Sequence, residues 1–242
     1  MFGFEVLSDS GRVVAGSEFK SLVFHSKSEV YLPSFQYNGY YLGFTKVDDP
    51  VSPEGSVVFY QTTRGSPIFN LGGGVGVVRR QPAYYGRVED VTLTRFVFCP
   101  PFAESVMGIS VYDEQGDLTY SSATQPMRTA GVFSSMAEKV YTDSYTYYPE
   151  DFTIQSEFTG NIAICPANLR VYVESVQLAD GNYFFTDVAR YIRALSLDSN
   201  GLMSIKSVRT SIIRYGGRQG NYNASPNNNT PNTAILVNVE GL

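Results

Sequence analysis

Only one histidine is present in 242 residues, so any histidine-based nucleophilic centre has to be built on it. His25 stands between Phe24 and Ser26 with no fixed spacing to a nucleophile, and the chain has no Gly-x-Ser-x-Gly elbow to present a serine. Zinc takes four ligands, usually in closely spaced pairs, whereas Cys99 and Cys165 lie far from each other and from His25. The run Leu71-Gly72-Gly73-Gly74-Val75-Gly76-Val77-Val78-Arg79-Arg80 has the glycines of a phosphate loop but lacks its closing Lys-Ser/Thr. Val77, Val78 and Pro82 also disfavour the helix that such a loop opens, so the glycines are expected to turn the chain or let backbones approach closely. Carboxylate pairs at Asp48-Asp49, Glu89-Asp90 and Asp113-Glu114 would cleave glycosidic bonds only if the fold held two of them across a sugar. The stretch Asp113-Glu114-Gln115-Gly116-Asp117 lacks the spacing and distal Glu of a calcium loop. No catalytic, cofactor or metal residue is assigned, and the chain is not expected to be an enzyme.

Tyrosine is what remains for recognition. The 18 tyrosines concentrate in Tyr37-Asn38-Gly39-Tyr40-Tyr41, in Tyr84-Tyr85 and in residues 141–148. A phenol offers a rigid apolar face with a polar tip, suited to protein interfaces and to stacking on sugars. Tyr40, Tyr41, Tyr84, Tyr85, Tyr145, Tyr147 and Tyr148 are therefore the candidate interface residues. A net charge of −5 gives no general attraction for a phosphate backbone, which argues against nucleic acid as a partner. Met1 leads almost directly into a strand pattern, leaving no room for a secretory signal, and no apolar run approaches the roughly 20 residues that span a bilayer. Synthesis in a cytoplasm without membrane insertion is expected. Two cysteines make no disulfide framework; each follows an apolar run and precedes a proline, as expected of buried free thiols at strand ends.

These residues must be positioned by strands. Aromatics reach 14% while charged residues make up only 17%, a balance suited to sheets with one wet face. The strongest local signal is a hairpin written twice. Gly3-Phe4-Glu5-Val6-Leu7-Ser8-Asp9-Ser10-Gly11 returns 105 positions later as Gly108-Ile109-Ser110-Val111-Tyr112-Asp113-Glu114-Gln115-Gly116. Alternating apolar residues give a half-buried strand, and four polar residues ending in Gly give a type I turn with a left-handed bulge. Gly11 and Gly116 close those turns, and Gly201 closes a related one at Asp198-Ser199-Asn200-Gly201.

Further strands are expected at 21–24, 30–32, 37–45 (interrupted by Gly39 and Gly43), 57–60, 67–71 and 88–99, then at 127–132, 152–158, 161–165, 169–178 and 183–186. Val188, Ile192 and Leu195 have helical spacing, yet the strand before Gly201 could equally extend back through them. Residues 100–105, opened by two prolines, read as a linker, and the Asn/Gly-rich stretch 216–232 reads as a loop. The fold class is all-β: two mainly antiparallel β-sandwich-like domains, 1–102 and 103–242, related by a partial internal repeat.

Residues 107–122, running Met107-Gly108-Ile109-Ser110-Val111-Tyr112-Asp113 through Gly116 to Ser122, resemble a module of small tail-associated proteins of tailed bacteriophages. The lead-in Phe96-Val97-Phe98-Cys99-Pro100-Pro101 is also similar to that family. Residues 2–17 are the poorer copy, with Leu7-Ser8 in place of the Tyr-Asp opening and Ala15 in place of Tyr120. The resemblance covers about 40 residues and brings no catalytic motif. It implies a structural virion component of a tail tip, baseplate or fibre-attachment site, present in several copies around the tail axis and bound to other tail proteins. The rival expectation is an adhesin that recognises a bacterial surface glycan or pilus through the tyrosine-rich loops, and a polysaccharide hydrolase ranks behind both.

Overall fold

A computed structural model describes residues 5–7, 13–16, 21–38, 43–79, 85–104, 106–135, 140–142, 147–149, 152–167, 169, 171–180, 183–216 and 231–242. The first half holds β1 (Glu5–Leu7), β2 (Val13–Gly16), β3 (Val23–Leu32), β4 (Phe35–Asn38), β5 (Phe44–Asp48), β6 (Val57–Thr62), β7 (Ile68–Asn70), β8 (Gly74–Val78), β9 (Tyr85–Val88) and β10 (Val91–Cys99). The second holds β11 (Ser110–Tyr112), β12 (Leu118–Ser121), β13 (Arg128–Ser135), β14 (Val140–Thr142), β15 (Tyr147–Pro149), β16 (Phe152–Gln155), β17 (Ile162–Pro166), β18 (Val171–Asp180), β19 (Tyr183–Leu197), β20 (Leu202–Gly216) and β21 (Asn232–Asn238). The molecule is all-β and antiparallel, with two β-sandwich-like halves related by an internal repeat.

The repeat extends far beyond the hairpins. One large sheet has the order β13-β21-β17-β6-β10-β3, the other β16-β20-β19-β7-β8-β5, with β18 added alongside β19. Each order reads as a palindrome: β6, β10, β3 outward on one side match β17, β21, β13 on the other, and β7, β8, β5 match β19, β20, β16. The halves join where Tyr60 pairs with Ile164 in one sheet and Ile68 with Leu195 in the other. A pseudo-two-fold axis therefore runs through both seams, and each half is a small sandwich whose sheets continue into those of its mate.

Burial follows the same symmetry. Ile68, Val75 and Val77 of β7 and β8 face the core between the sheets, as do their counterparts Leu195, Met203 and Ile205 of β19 and β20. Leu93 of β10 matches Ala234 of β21 in that core, while Phe96 and Phe98 match Val237 and Val239 in a second core on the far face. Alternation along a strand sends successive side chains to opposite faces, so a stretch buried on both faces needs apolar residues at successive positions, as β10 has from Phe96 to Cys99. The second core is closed from above. The chain entering β3 and the chain entering β13 sit at opposite sheet edges, yet Phe24 N donates to Gln125 O (2.8 Å) and Met127 N to Leu22 O (2.8 Å), so the sheet curls until these corners meet. Leu22, Phe24 and Met127 pack onto that core.

The duplicated hairpins pair in the same register. Glu5–Gly16, Val6–Ala15 and Leu7–Val13 in the first correspond to Ser110–Ser121, Val111–Tyr120 and Tyr112–Leu118 in the second, with the bulge at the same step. They also adjoin each other, and Ser21 N, just past the first, donates to Thr119 O of the second (2.9 Å). Gly116 has φ +86° and Gly201 φ +82°, the left-handed closure expected of both; Gly11 lies outside the described residues.

Several expected elements take a different form. Residues 23–24 and 30–32 of the two expected segments belong to one strand of 10 residues, β3, because its ladder to β10 continues through the polar residues between them, of which His25, Lys27 and Glu29 are exposed. The expected strand 37–45 divides into β4 and β5, and residues 39–42 lie outside the described ones. At Val188, Ile192 and Leu195 the strand alternative holds: β19 runs through all three, its ladder to β20 outweighing the helical spacing. β19 and β20 each have 15 residues against 3 and 5 in β7 and β8, so the second half extends with β18 beyond the common sandwich. Of the loop 216–232, residues 217–230 lie outside the described ones.

Candidate functional site

At one end of the first half, between the two sheets and against the seam, lies a pocket of about 310 Å³. Its walls come from the β5–β6 loop (Asp49, Ser52, Ser56), from β6 (Val57, Val58, Tyr60), from the β7–β8 turn (Asn70, Gly72, Gly73, Gly74) and from the end of β17 (Cys165, Pro166). Both halves of the chain contribute, so the pocket exists only in the joined molecule.

The glycine run that resembles a phosphate loop is a β-hairpin. Gly72 and Gly73 take φ +71° and +72°, the left-handed pair that a two-residue turn demands, and Leu71 N donates to Gly74 O (3.0 Å). Asn70 stabilises the turn by accepting Gly72 N at its Oδ1 (2.7 Å), and its Nδ2 reaches across the pocket to Pro166 O (3.4 Å). Asp49 N donates to Gly73 O (3.1 Å), tying the loop to the turn. Gly76 answers a different need, since a Cβ there would come within 2.3 Å of the Phe69 ring on the paired strand. Arg79, at the end of the run, is buried and donates to Leu32 O (3.2 Å), Pro33 O (2.8 Å), Thr45 Oγ1 (3.3 Å) and Glu89 O (3.1 Å from Nε). It binds strand ends together and takes no part in the pocket.

The Tyr60 hydroxyl donates to Asp49 Oδ1. Burial and then the neighbouring carboxylate hold this phenol far above the usual tyrosine range, although Arg95 acts in the opposite direction. Cys165 is a free thiol pushed up to about 11, first by burial and then by the charge of Asp49, so it is neutral and unreactive near pH 7. Arg95 lies opposite Tyr60 on β10, donating from Nη1 to Asp48 O (3.2 Å) and from Nε to Ser28 Oγ (3.1 Å). Asp49 is the one carboxylate among the described lining residues, an arrangement that suits binding.

Of the acidic pairs, Asp48 bridges to Lys46 (2.8 Å), and Asp113 caps its own turn through Gln115 N (3.0 Å) and Asp117 N (2.8 Å). Among the described residues no group of three or more His, Cys, Asp or Glu is arranged to hold a metal ion, and no helix is long and apolar enough to cross a membrane. His25 is exposed and stacks edge-on with Phe102, ring centroids 5.5 Å apart. Of the candidate interface tyrosines, Tyr40, Tyr41, Tyr84 and Tyr145 lie outside the described residues. Tyr85 falls in β9, and Tyr147 and Tyr148 in β15, which is described by backbone pairing with β14. The sequence reading missed Tyr60 and Asn70. Tyr60 ends an apolar run that reads as a packed strand, and its one available signal was a polar tip at an alternation position pointing into the core.

Compared with protein-family models, curated proteins and solved structures, the chain matches none.

Proposed function

We propose that this protein is a structural component of a bacteriophage tail, placed at the tip, the baseplate or a fibre-attachment site, and that it works by binding neighbouring tail proteins. The observation that carries this reading is the pair of register-identical hairpins lying side by side, the second within the segment whose sequence resembles tail-associated proteins. Around that second hairpin apolar side chains are left in solvent: Val106 (99% exposed), Met107 (95%), Phe102 (58%) and Ile109 (59%). A cluster of this kind loses free energy in water and regains it in an interface. Several copies around an axis would multiply individually weak contacts by raising the effective concentration of each next one. Gold-labelled antibody against the chain is expected to decorate the tail end of intact particles. Particles that remain unlabelled, with the chain recovered only from the soluble lysate, would exclude the virion role.

A second reading, an adhesin for a bacterial surface glycan, is favoured by the pocket with its hydroxyl, amide and carboxylate lining.

A further inference from the structure

The pseudo-two-fold makes one half a control for the other. Pairing register fixes which residues correspond: Tyr60 and Arg95, opposite each other on β6 and β10, occupy the places of Ile164 and Leu236 on β17 and β21. Asn70, at the end of β7, occupies the place of Leu197 at the end of β19. Asp49, whose N–H reaches Gly73 O, corresponds to Ser156, whose N–H reaches Gly201 O (2.8 Å). In the second half three of these four places are apolar. Ile164 and Leu236 lie in the core, and Leu197 and Phe158 pack against it. The architecture is thus satisfied by hydrocarbon at these positions, and of the three polar residues only Tyr60 is buried, its hydroxyl bonded to Asp49. Tyr60 and Asn70, polar where the second half carries Ile164 and Leu197, both line the pocket.

The lining specifies the ligand. Ser52 offers a hydroxyl, Tyr60 and Ser56, whose protons go to Asp49 Oδ1 and Pro53 O, offer acceptor lone pairs, Asp49 its second carboxylate oxygen and Asn70 an amide, while Val58 and Pro166 supply an apolar wall. Among the described residues no lysine, arginine or histidine lines the pocket, so they supply no clamp for a phosphate or carboxylate. An ammonium is not favoured either, because Arg95 holds positive charge beside Asp49 through the carbonyl of Asp48. A volume of about 310 Å³ is at the small end of ligand sites, room for one ring. We propose that this pocket binds a single neutral sugar ring, its hydroxyls taken by Asp49, Ser52 and Asn70 and its C–H face by Val58 and Pro166. The inference rests on the glycan-adhesin reading and is independent of where the protein sits in a particle.

Saturation-transfer NMR on the full chain with free glucose, galactose, N-acetylglucosamine and rhamnose tests it. At least one sugar is expected to give a saturable signal that weakens about tenfold or more in Asp49→Ala, the usual cost of losing a hydrogen bond to a charged group. Ser52→Ala, on the exposed loop, is expected to weaken it as well, and Gln155→Ala, at the corresponding end of the other half, is expected to leave it unchanged. Should Asp49→Ala melt early, Asp49→Asn and Ser52→Ala carry the comparison. The proposal is overturned if none of the four sugars saturates, if binding survives both pocket substitutions, or if inorganic phosphate displaces the sugar. Labelling of the tail end of particles together with absence of any sugar signal would retain the virion role and remove the sugar site.

Discussion

Cys165 and Tyr60 face a shared pocket from strands that meet at the seam, and both are acids made weaker by burial. An ordinary thiol titrates near pH 8.5, so between there and about 11 the unfolded chain sheds a proton that folded Cys165 keeps. Fewer protons on the unfolded chain means that stability falls as pH rises, by up to about 1.4 kcal/mol per unit for one group. Tyr60 adds to the loss once pH passes the ordinary tyrosine range. Urea unfolding from pH 7 to 10.5 is expected to show this decline, and Cys165→Ala is expected to make it shallower below pH 10, the remainder coming from Cys99, whose thiol burial also pushes up. An equally steep decline in Cys165→Ala would assign the effect elsewhere. The same shift makes Cys165 a poor nucleophile. In a Cys99→Ser background, alkylation by iodoacetamide at pH 8 is expected to run roughly two orders of magnitude slower than for a free thiol.

At the scale of the element, two turns of the same construction sit in different surroundings. In the β11–β12 hairpin Gly116 N donates to Asp113 O (3.1 Å), and in the β19–β20 hairpin Gly201 N donates to Asp198 O (3.1 Å). Asp198 Oδ1 accepts Asn200 N (2.9 Å) and Leu202 N (2.8 Å), repeating the Asp113 cap. Both glycines have positive φ, but a Cβ at Gly116 meets nothing within 4 Å, whereas one at Gly201 would lie 2.8 Å from Phe158 O. Gly116→Ala is expected to cost only the left-handed backbone penalty, about 1–2 kcal/mol. Gly201→Ala adds a backbone clash and is expected to cost more, so equal urea midpoints for the two variants would refute the role of the loop carrying Phe158.

Hairpins of this kind were readable because their cues are local: a glycine after polar residues and alternation on either side. The remainder of the repeat was hidden for an equally physical reason. Ile68, Val75 and Val77 correspond to Leu195, Met203 and Ile205 by ladder position alone, and the intervening loops and strand extensions differ in length between the halves. Sheet cores require apolar character and parity at a position, so equivalent residues drift apart in identity and in spacing.

For the whole molecule the consequence of two shared sheets is cooperativity. Separating residues 1–102 from 103–242 would open β6 and β7 on one piece and β17 and β19 on the other, leaving unpaired edges in both sheets. Either piece expressed alone is expected to aggregate or self-pair, and the two expressed together are expected to purify as a 1:1 complex with the circular dichroism of the intact chain. A monomeric, folded 1–102 fragment would mean that the seams contribute little.

By itself the sequence determined the all-β class, the duplicated hairpins and the free thiols, since each is written in neighbouring residues through alternation, φ preference or spacing; for the glycine run it offered a turn or a close approach of backbones. Only the tertiary structure decided that the two halves interlock about a two-fold axis, and that Asp49, Tyr60, Asn70 and Cys165 surround one pocket. Those residues are brought together by ladders between strands distant along the chain, and strand pairing depends on which edges meet, a property that no local run of residues contains.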